Sequence, residues 1–205
     1  MTSFCMSKIT QISNQKIKEK NDKEIYVNGV NVTKLLESTE TVRNNTVLSK
    51  FKFQEKGKWI HGAQIQTSID DYYGANQSYY RAKPFVYDGD EPPVLSGTDL
   101  GANPLEYALV ALNGCLTTAR IYNASARGID LEKVESILEG NIDTRGAMGL
   151  SKQVRNGYEN IKVSFRVKSS GPKEKIKELI EVAQKRSPVF DIISNPTPIV
   201  VNLQE

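Results

Sequence analysis

A chain of 205 residues, 39% hydrophobic and 25% charged, is long enough for one full hydrophobic core and too apolar to be a disordered segment. Its net charge of +3 is spread over interspersed Lys, Arg, Asp and Glu, which excludes the dense basic face of a nucleic-acid binder. No apolar run approaches the roughly 20 residues of a membrane span, and the first stretch holds no signal-peptide core, so a cytoplasmic protein with no membrane partner is expected. In that compartment Cys5 and Cys115 stay reduced and unbridged. With one histidine and no Cys-x-x-Cys the chain has no metal-ligand spacing, its glycines do not fit a phosphate loop, and no cofactor is expected.

The N-terminal stretch is polar, with Lys16, Lys18, Lys20 and Lys23 alternating with Glu19, Asp22 and Glu24 as in a solvated tail. A short helix follows, capped by Asn31, with Leu35, Leu36, Thr39 and Val42 at helical spacing before Asn44-Asn45. From Val47 the period becomes two. A strand through Phe51 and Phe53, a turn at Lys56-Gly57-Lys58 and a return strand from Trp59 to Ile69 read as a hairpin. A third strand runs from about Gln77 to Tyr87.

The best-specified element begins at Asn103. Asn103 is an N-cap, Pro104 suits the first helical position, Glu106 completes a capping box, and Gly128 is the natural stop. Leu105, Ala108, Leu112, Cys115, Ala119, Tyr122 and Ala126 form its apolar stripe, while Arg120 and Arg127 suit its C-terminal end. A largely apolar helix of this length belongs in the middle of a fold. Strands follow at Leu131 to Asp143 and Asn160 to Lys168, joined by a Gly-rich connection. Gly171-Pro172 opens a second helix with Ile176, Leu179, Ile180 and Ala183 inward, then come a turn from Ser187 to Ser194 and a last strand from Pro198 to Leu203. The order implies an α+β fold, with antiparallel sheets packed on helices.

Cys115 is the residue on which any chemistry would rest. Two readings stand: a small buried hydrophobe, or a nucleophile activated by a cation from elsewhere in the fold, since the helix N-terminus lies too far away to stabilise a thiolate. Glu106 faces the other way from Cys115 and lies ~13.5 Å from it along the axis, so a catalytic Glu106 requires a partner chain. His61, the only histidine, reads as packing or surface more readily than as a base, which disfavours a Cys/His hydrolase.

The stretch from Gly97 through Asn103-Pro104 to Gly114-Cys115 resembles the signature of the OsmC/Ohr family, osmotically inducible and organic hydroperoxide resistance proteins. The segments Ala126–Glu132, Phe165–Lys168 and Lys185–Asp191 agree with it. The resemblance implies an OsmC-like domain over residues 47–205 and an extension, with its short helix, over residues 1–46. It further implies an intertwined homodimer with sites at the subunit interface, and a cysteine matching Cys115 that reduces organic hydroperoxides through a sulfenic acid. In the family a second cysteine resolves that acid as a disulfide, and a dithiol restores the pair.

This chain departs from the pattern at three places. Ser187-Pro188 stands where the second cysteine is expected, so the two-cysteine cycle is closed to it. The carboxylate that commonly follows the proline is displaced one place, with Leu105 there and Glu106 next. The activating arginine of the early strands has no firm counterpart, with Lys58 and Arg81 as the candidates. The favoured reading is a one-cysteine hydroperoxide reductase, its Cys115 sulfenic acid reduced by an external thiol or dithiol. The alternative is a non-catalytic homodimer that binds a small apolar ligand.

Overall fold

The computed structural model describes residues 24–204; Cys5 and the basic run lie outside them. The strands are short: β1 (Tyr26–Val27), β2 (Val30–Asn31), β3 (Phe51–Lys52), β4 (Lys56–His61), β5 (Gln64–Ile69), β6 (Tyr72–Gly74), β7 (Gln77–Tyr79) and β8 (Phe85–Gly89) precede the long hairpin β9 (Leu131–Asn141) and β10 (Asn160–Ser169). The helices are α1 (Val32–Asn44), α2 (Pro104–Ala126), α3 (Thr144–Ala147), α4 (Lys173–Arg186) and α5 (Pro188–Ser194). Every pairing between named strands is antiparallel, in four small sheets ordered β1-β2, β3-β6-β7, β4-β5-β8 and β10-β9.

Helix α2 starts and stops where its local chemistry dictates. The Asn103 side chain accepts from Glu106 N, Glu106 returns the bond to Asn103 N, and Gly128 leaves the helix at φ 65°. Its fully buried line is Leu112, Leu116, Arg120 and Ala124, one residue every four. Part of the expected stripe therefore points elsewhere, with Tyr122 half exposed. Ala124 joins Ile129 and Leu179 of α4 in the main core cluster, against which Leu131 and Ile176 pack. In α4, Leu179 and Ala183 are wholly buried, as their spacing requires.

Several expectations for the strands and turns are corrected. The hairpin turns at Gly62-Ala63, where Gly62 takes φ 55°, and not at Lys56-Gly57-Lys58, which lies inside β4. Residues Thr46–Ser49 form a 3-10 turn rather than the start of a strand. The expected third strand is broken into β7 and β8 around Tyr80–Pro84. Ser187 to Ser194 is no turn: Ser187 Oγ accepts from Phe190 N and caps α5, with Pro188 at its first position. The last strand expected from Pro198 to Leu203 does not form: residues 195–204 take no regular structure and pair with no strand among the described residues.

Asn28 ties the described part of the extension into the core. Asn28, at the left-handed tip of the β1-β2 hairpin (φ 51°), donates through Nδ2 to Ser125 Oγ (3.1 Å) and Ile129 O (2.9 Å). Its Oδ1 accepts from Leu131 N at 2.8 Å. One amide thereby satisfies backbone groups where α2 gives way to β9. Asn31 then caps α1 through Lys34 N, and Val32 is buried.

Candidate functional site

Cys115 sits halfway along α2 as a free thiol of intermediate burial. Beside it runs the helix's open line of Glu106, Val110, Gly114, Thr118 and Tyr122, all exposed, with Val110 at 63%. A Cβ on Gly114 would meet nothing within 4 Å, so among the described residues no side chain covers the helix next to the cysteine. The thiol thus lies at the margin between the buried line and an uncovered face.

The N-terminal end of α2 is held from three sides. Tyr107 Oη donates to Asp88 O (2.6 Å), Tyr158 Oη donates to Leu105 O (2.9 Å), and Glu106 is engaged in the capping box. Burial, with the Glu106 charge adding to it, raises the Tyr158 phenol above its ordinary value. The loop before the helix is organised by Asp90, which is buried and accepts from Glu91 N (2.8 Å), Thr98 N (3.1 Å), Thr98 Oγ1 (2.5 Å) and Leu100 N (3.2 Å). The Thr98 hydroxyl is the largest cause of a carboxyl held below its ordinary value, with the backbone donors adding to it. Gly97 and Gly101 are obligatory here, since a Cβ would stand 1.7 Å from Glu91 O and 2.2 Å from Asp88 O. None of Asp90, Tyr107 and Tyr158 emerged from the sequence. The signal for Asp90, an acidic residue eight places before a Thr in a Gly- and Pro-rich loop, is too common to single out.

The second half of the candidate site is a sheet with a bare face. Cross-strand partners share a side of a sheet, so Trp59, Ile65 and Gly89 line one face of β4-β5-β8 with Gly57, Thr67, Tyr87, Ile69 and Phe85. Trp59 is 70% exposed, Phe85 53% and Tyr87 43%. The reverse face is mostly polar, with Lys58, Gln66 and Asp88 in register, Gln66 Nε2 bonded to Asp88 Oδ1, and Val86 beside Lys56 and Ser68. The two cation candidates separate on this geometry. Lys58 belongs to the polar side. The Arg81 guanidinium lies 5.1 Å from the Phe85 ring centroid and 5.0 Å from that of Tyr72, and Nη1 donates to Asp70 O. Arg81 is therefore fixed at the margin of the bare apolar face. His61, at the end of β4, is exposed.

Arg120 departs most from its expected place. Read as a C-terminal helix cation, it is instead 1% exposed, with its guanidinium 3.5 Å from the centroid of Phe165 on β10. Among the described residues no cluster of three or more His, Cys, Asp or Glu could hold a metal, and no helix is long and apolar enough to cross a membrane.

A long central helix carrying one part-exposed cysteine, packed on an antiparallel hairpin and preceded by small antiparallel sheets, defines a thiol-bearing α+β class. The model of the OsmC-like protein family matches residues 97–202, more than half of the chain, and the chain belongs to that family. Among solved structures it is similar to an OsmC-like protein from Mycoplasma pneumoniae, at 18% identity and a TM-score of 0.54, over 71% of this chain and 89% of that one. It is also similar to an OsmC-like protein of unknown function from Vibrio cholerae, at 10% identity and a TM-score of 0.50, over 71% and 94% of the two chains. At these identities the likeness concerns the fold. No curated protein is similar enough to match.

Proposed function

We propose that the protein is a thiol-dependent peroxidase that reduces organic hydroperoxides at Cys115 as a homodimer. The observation that carries this reading is the position of Cys115, a free thiol beside a helix face that the described residues leave uncovered. The bare face of β4-β5-β8 and the C-terminal segment, with Val201 89% exposed, are surfaces a lone chain would not leave in water. A second copy covers them, and a sheet face laid over the partner's helix encloses an apolar pocket at the cysteine.

In that pocket the Cys115 thiolate attacks the terminal oxygen of R–O–O–H. The O–O bond breaks, the oxygen stays on sulfur as sulfenic acid, and the alkoxide takes a proton and leaves as alcohol. An external dithiol attacks the sulfenic sulfur and water departs. Its second thiol then breaks the mixed disulfide and returns Cys115 as a thiol. Ser187 takes no part in the cycle, because a hydroxyl cannot form the resolving disulfide; it caps α5 instead. Arg81, on the face proposed to meet the partner, is the cation we assign to the thiolate. Glu106, whose carboxylate accepts from Asn103 N and so holds the start of α2, is the acid we assign to the interface. The division into an extension of residues 1–46 and a domain of residues 47–205 belongs to the same proposal, the described part of the extension being clamped to the core by Asn28.

The test is sulfenic acid trapping. Wild type is treated with one equivalent of cumene hydroperoxide and a dimedone probe, and peptide mass spectrometry reads the adduct. The adduct is expected on Cys115, formed about tenfold or more slowly in Arg81→Met, the factor carried by one unit of thiol pKa, and at the wild-type rate in Lys58→Met. A chain whose Cys115 stays unmodified while the protein remains dimeric would be a binding homodimer for small apolar ligands, with the cysteine as packing.

A further inference from the structure

The extension and the cysteine meet on one face of α2. Tyr122 lies seven residues beyond Cys115, so at 100° per residue the two side chains are only about 20° apart around the helix and ~10.5 Å apart along it. At Tyr122 the extension reaches this face. Val30 of β2, Lys34 and Leu35 of α1 and the Tyr122 ring line a cavity of about 410 Å³. It is open to solvent and stands at the end of the exposed line that runs from Glu106 past Gly114 to Tyr122.

Residues 1–23 join the described chain at the wall of this cavity. Glu24 Oε1 pairs with Lys34 Nζ at 3.0 Å, and Glu24 Oε2 accepts from Tyr26 Oη at 2.7 Å. Ile25 N donates to Thr33 Oγ1 (3.1 Å) and Ile25 O accepts from Val32 N (2.8 Å), which binds the junction to the first turn of α1. Cys5 lies 19 residues before Glu24. A chain of that length spans at most roughly 65 Å, several times the two helical turns between the cavity and the thiol. Ile9, four residues after Cys5, is an apolar side chain at a matching distance. Four residues extend to roughly 13 Å, which covers the ~10.5 Å between Tyr122 and Cys115.

We propose that Cys5 is the resolving cysteine for Cys115 of its own chain, brought there with Ile9 seated in the cavity against Leu35 and Tyr122. This rests on the peroxidase reading and adds one step to it. The Cys5 thiolate attacks the Cys115 sulfenic sulfur. The S–S bond forms as the S–O bond breaks, and the hydroxide takes the proton that Cys5 gave up and leaves as water. The external dithiol then reduces this disulfide by exchange and returns both thiols. Cys5 supplies from the start of the chain what Ser187 lacks. The bridge exists only within turnover, both thiols being reduced at rest.

In the experiment, full-length wild type, Cys5→Ser and Ile9→Ser receive one equivalent of cumene hydroperoxide without reductant. Free thiols are then alkylated, and non-reducing electrophoresis and peptide mass spectrometry read the products. Wild type is expected to lose both free thiols and to yield a Cys5–Cys115 peptide pair linked within a single chain. Cys5→Ser is expected to yield no such pair and to leave its Cys115 sulfenic acid for dimedone. Ile9→Ser is expected to form the pair about fivefold more slowly, the factor carried by roughly 1 kcal/mol of apolar contact. A dimedone adduct on Cys115 of Cys5→Ser, with no linked pair in wild type, would overturn this inference and leave the peroxidase reading standing. Cys115 unoxidised in both proteins would overturn the two together. A pair that joins two chains, or one that forms in Ile9→Ser at the wild-type rate, would overturn the route through the cavity.

Discussion

Asn28→Ala is the substitution whose cost can be worked most directly from the structure. It removes the donor to Ser125 Oγ and Ile129 O and the acceptor for Leu131 N, all partly buried. Two backbone groups then lose their partner at a site water reaches only in part, costing about 2 kcal/mol at the lower end for such groups. Alanine at φ 51° adds roughly 1 kcal/mol, because its Cβ is disfavoured in the left-handed region that asparagine tolerates. The sum of about 3 kcal/mol corresponds to a Tm lower by roughly 6–12 °C for a domain of this size. Asn28→Gly separates the two terms, since it loses the bonds without that strain and should recover about 1 kcal/mol. Urea unfolding followed by tryptophan fluorescence measures the total, and amide exchange in α1 shows whether the extension opens alone or with the core. If Asn28→Ala stays within 0.5 kcal/mol of wild type with α1 protection unchanged, the clamp is not what holds the extension.

Two further predictions concern the elements around the helix. Asp90→Asn turns an amide N–H₂ towards donors and is expected to lower stability at neutral pH, read by urea unfolding. Because native Asp90 is held below its ordinary value of 3.8, its contribution is complete above that pH and is lost as the pH falls through the lower folded value. Wild type should therefore lose stability more steeply than Asp90→Asn below about pH 4, and parallel acid profiles would refute this. Ser187→Ala removes the α5 cap and is expected to cost about 1 kcal/mol in the same assay, with Cys115 oxidation by hydroperoxide unchanged.

Local signals were legible in proportion to how locally they act. The cap, first turn and stop of α2 are set within a few residues, and the helix forms over the expected span. The hairpin turn was misplaced because Trp59, His61, Ala63 and Ile65 alternate without a break. A bulge at Ile60 shifts the register between Trp59 and His61 and lets the chain turn at Gly62 without disturbing that pattern. Helix α5 was legible in Ser187-Pro188 as N-cap and first position, a signal hidden by the shortness of the segment. The burial of Arg120 was not legible, since it depends on Phe165, 45 residues further along the chain. The cysteine was found through its helix. The faces around it depend on strand pairings, and in the proposed assembly on a second chain.

The central claim is tested most directly by steady-state consumption of cumene hydroperoxide with a dithiol as regenerant, comparing wild type with Cys115→Ser. The account predicts many turnovers per chain in wild type and none above background in Cys115→Ser. Equal consumption by both, or none by either, would contradict it.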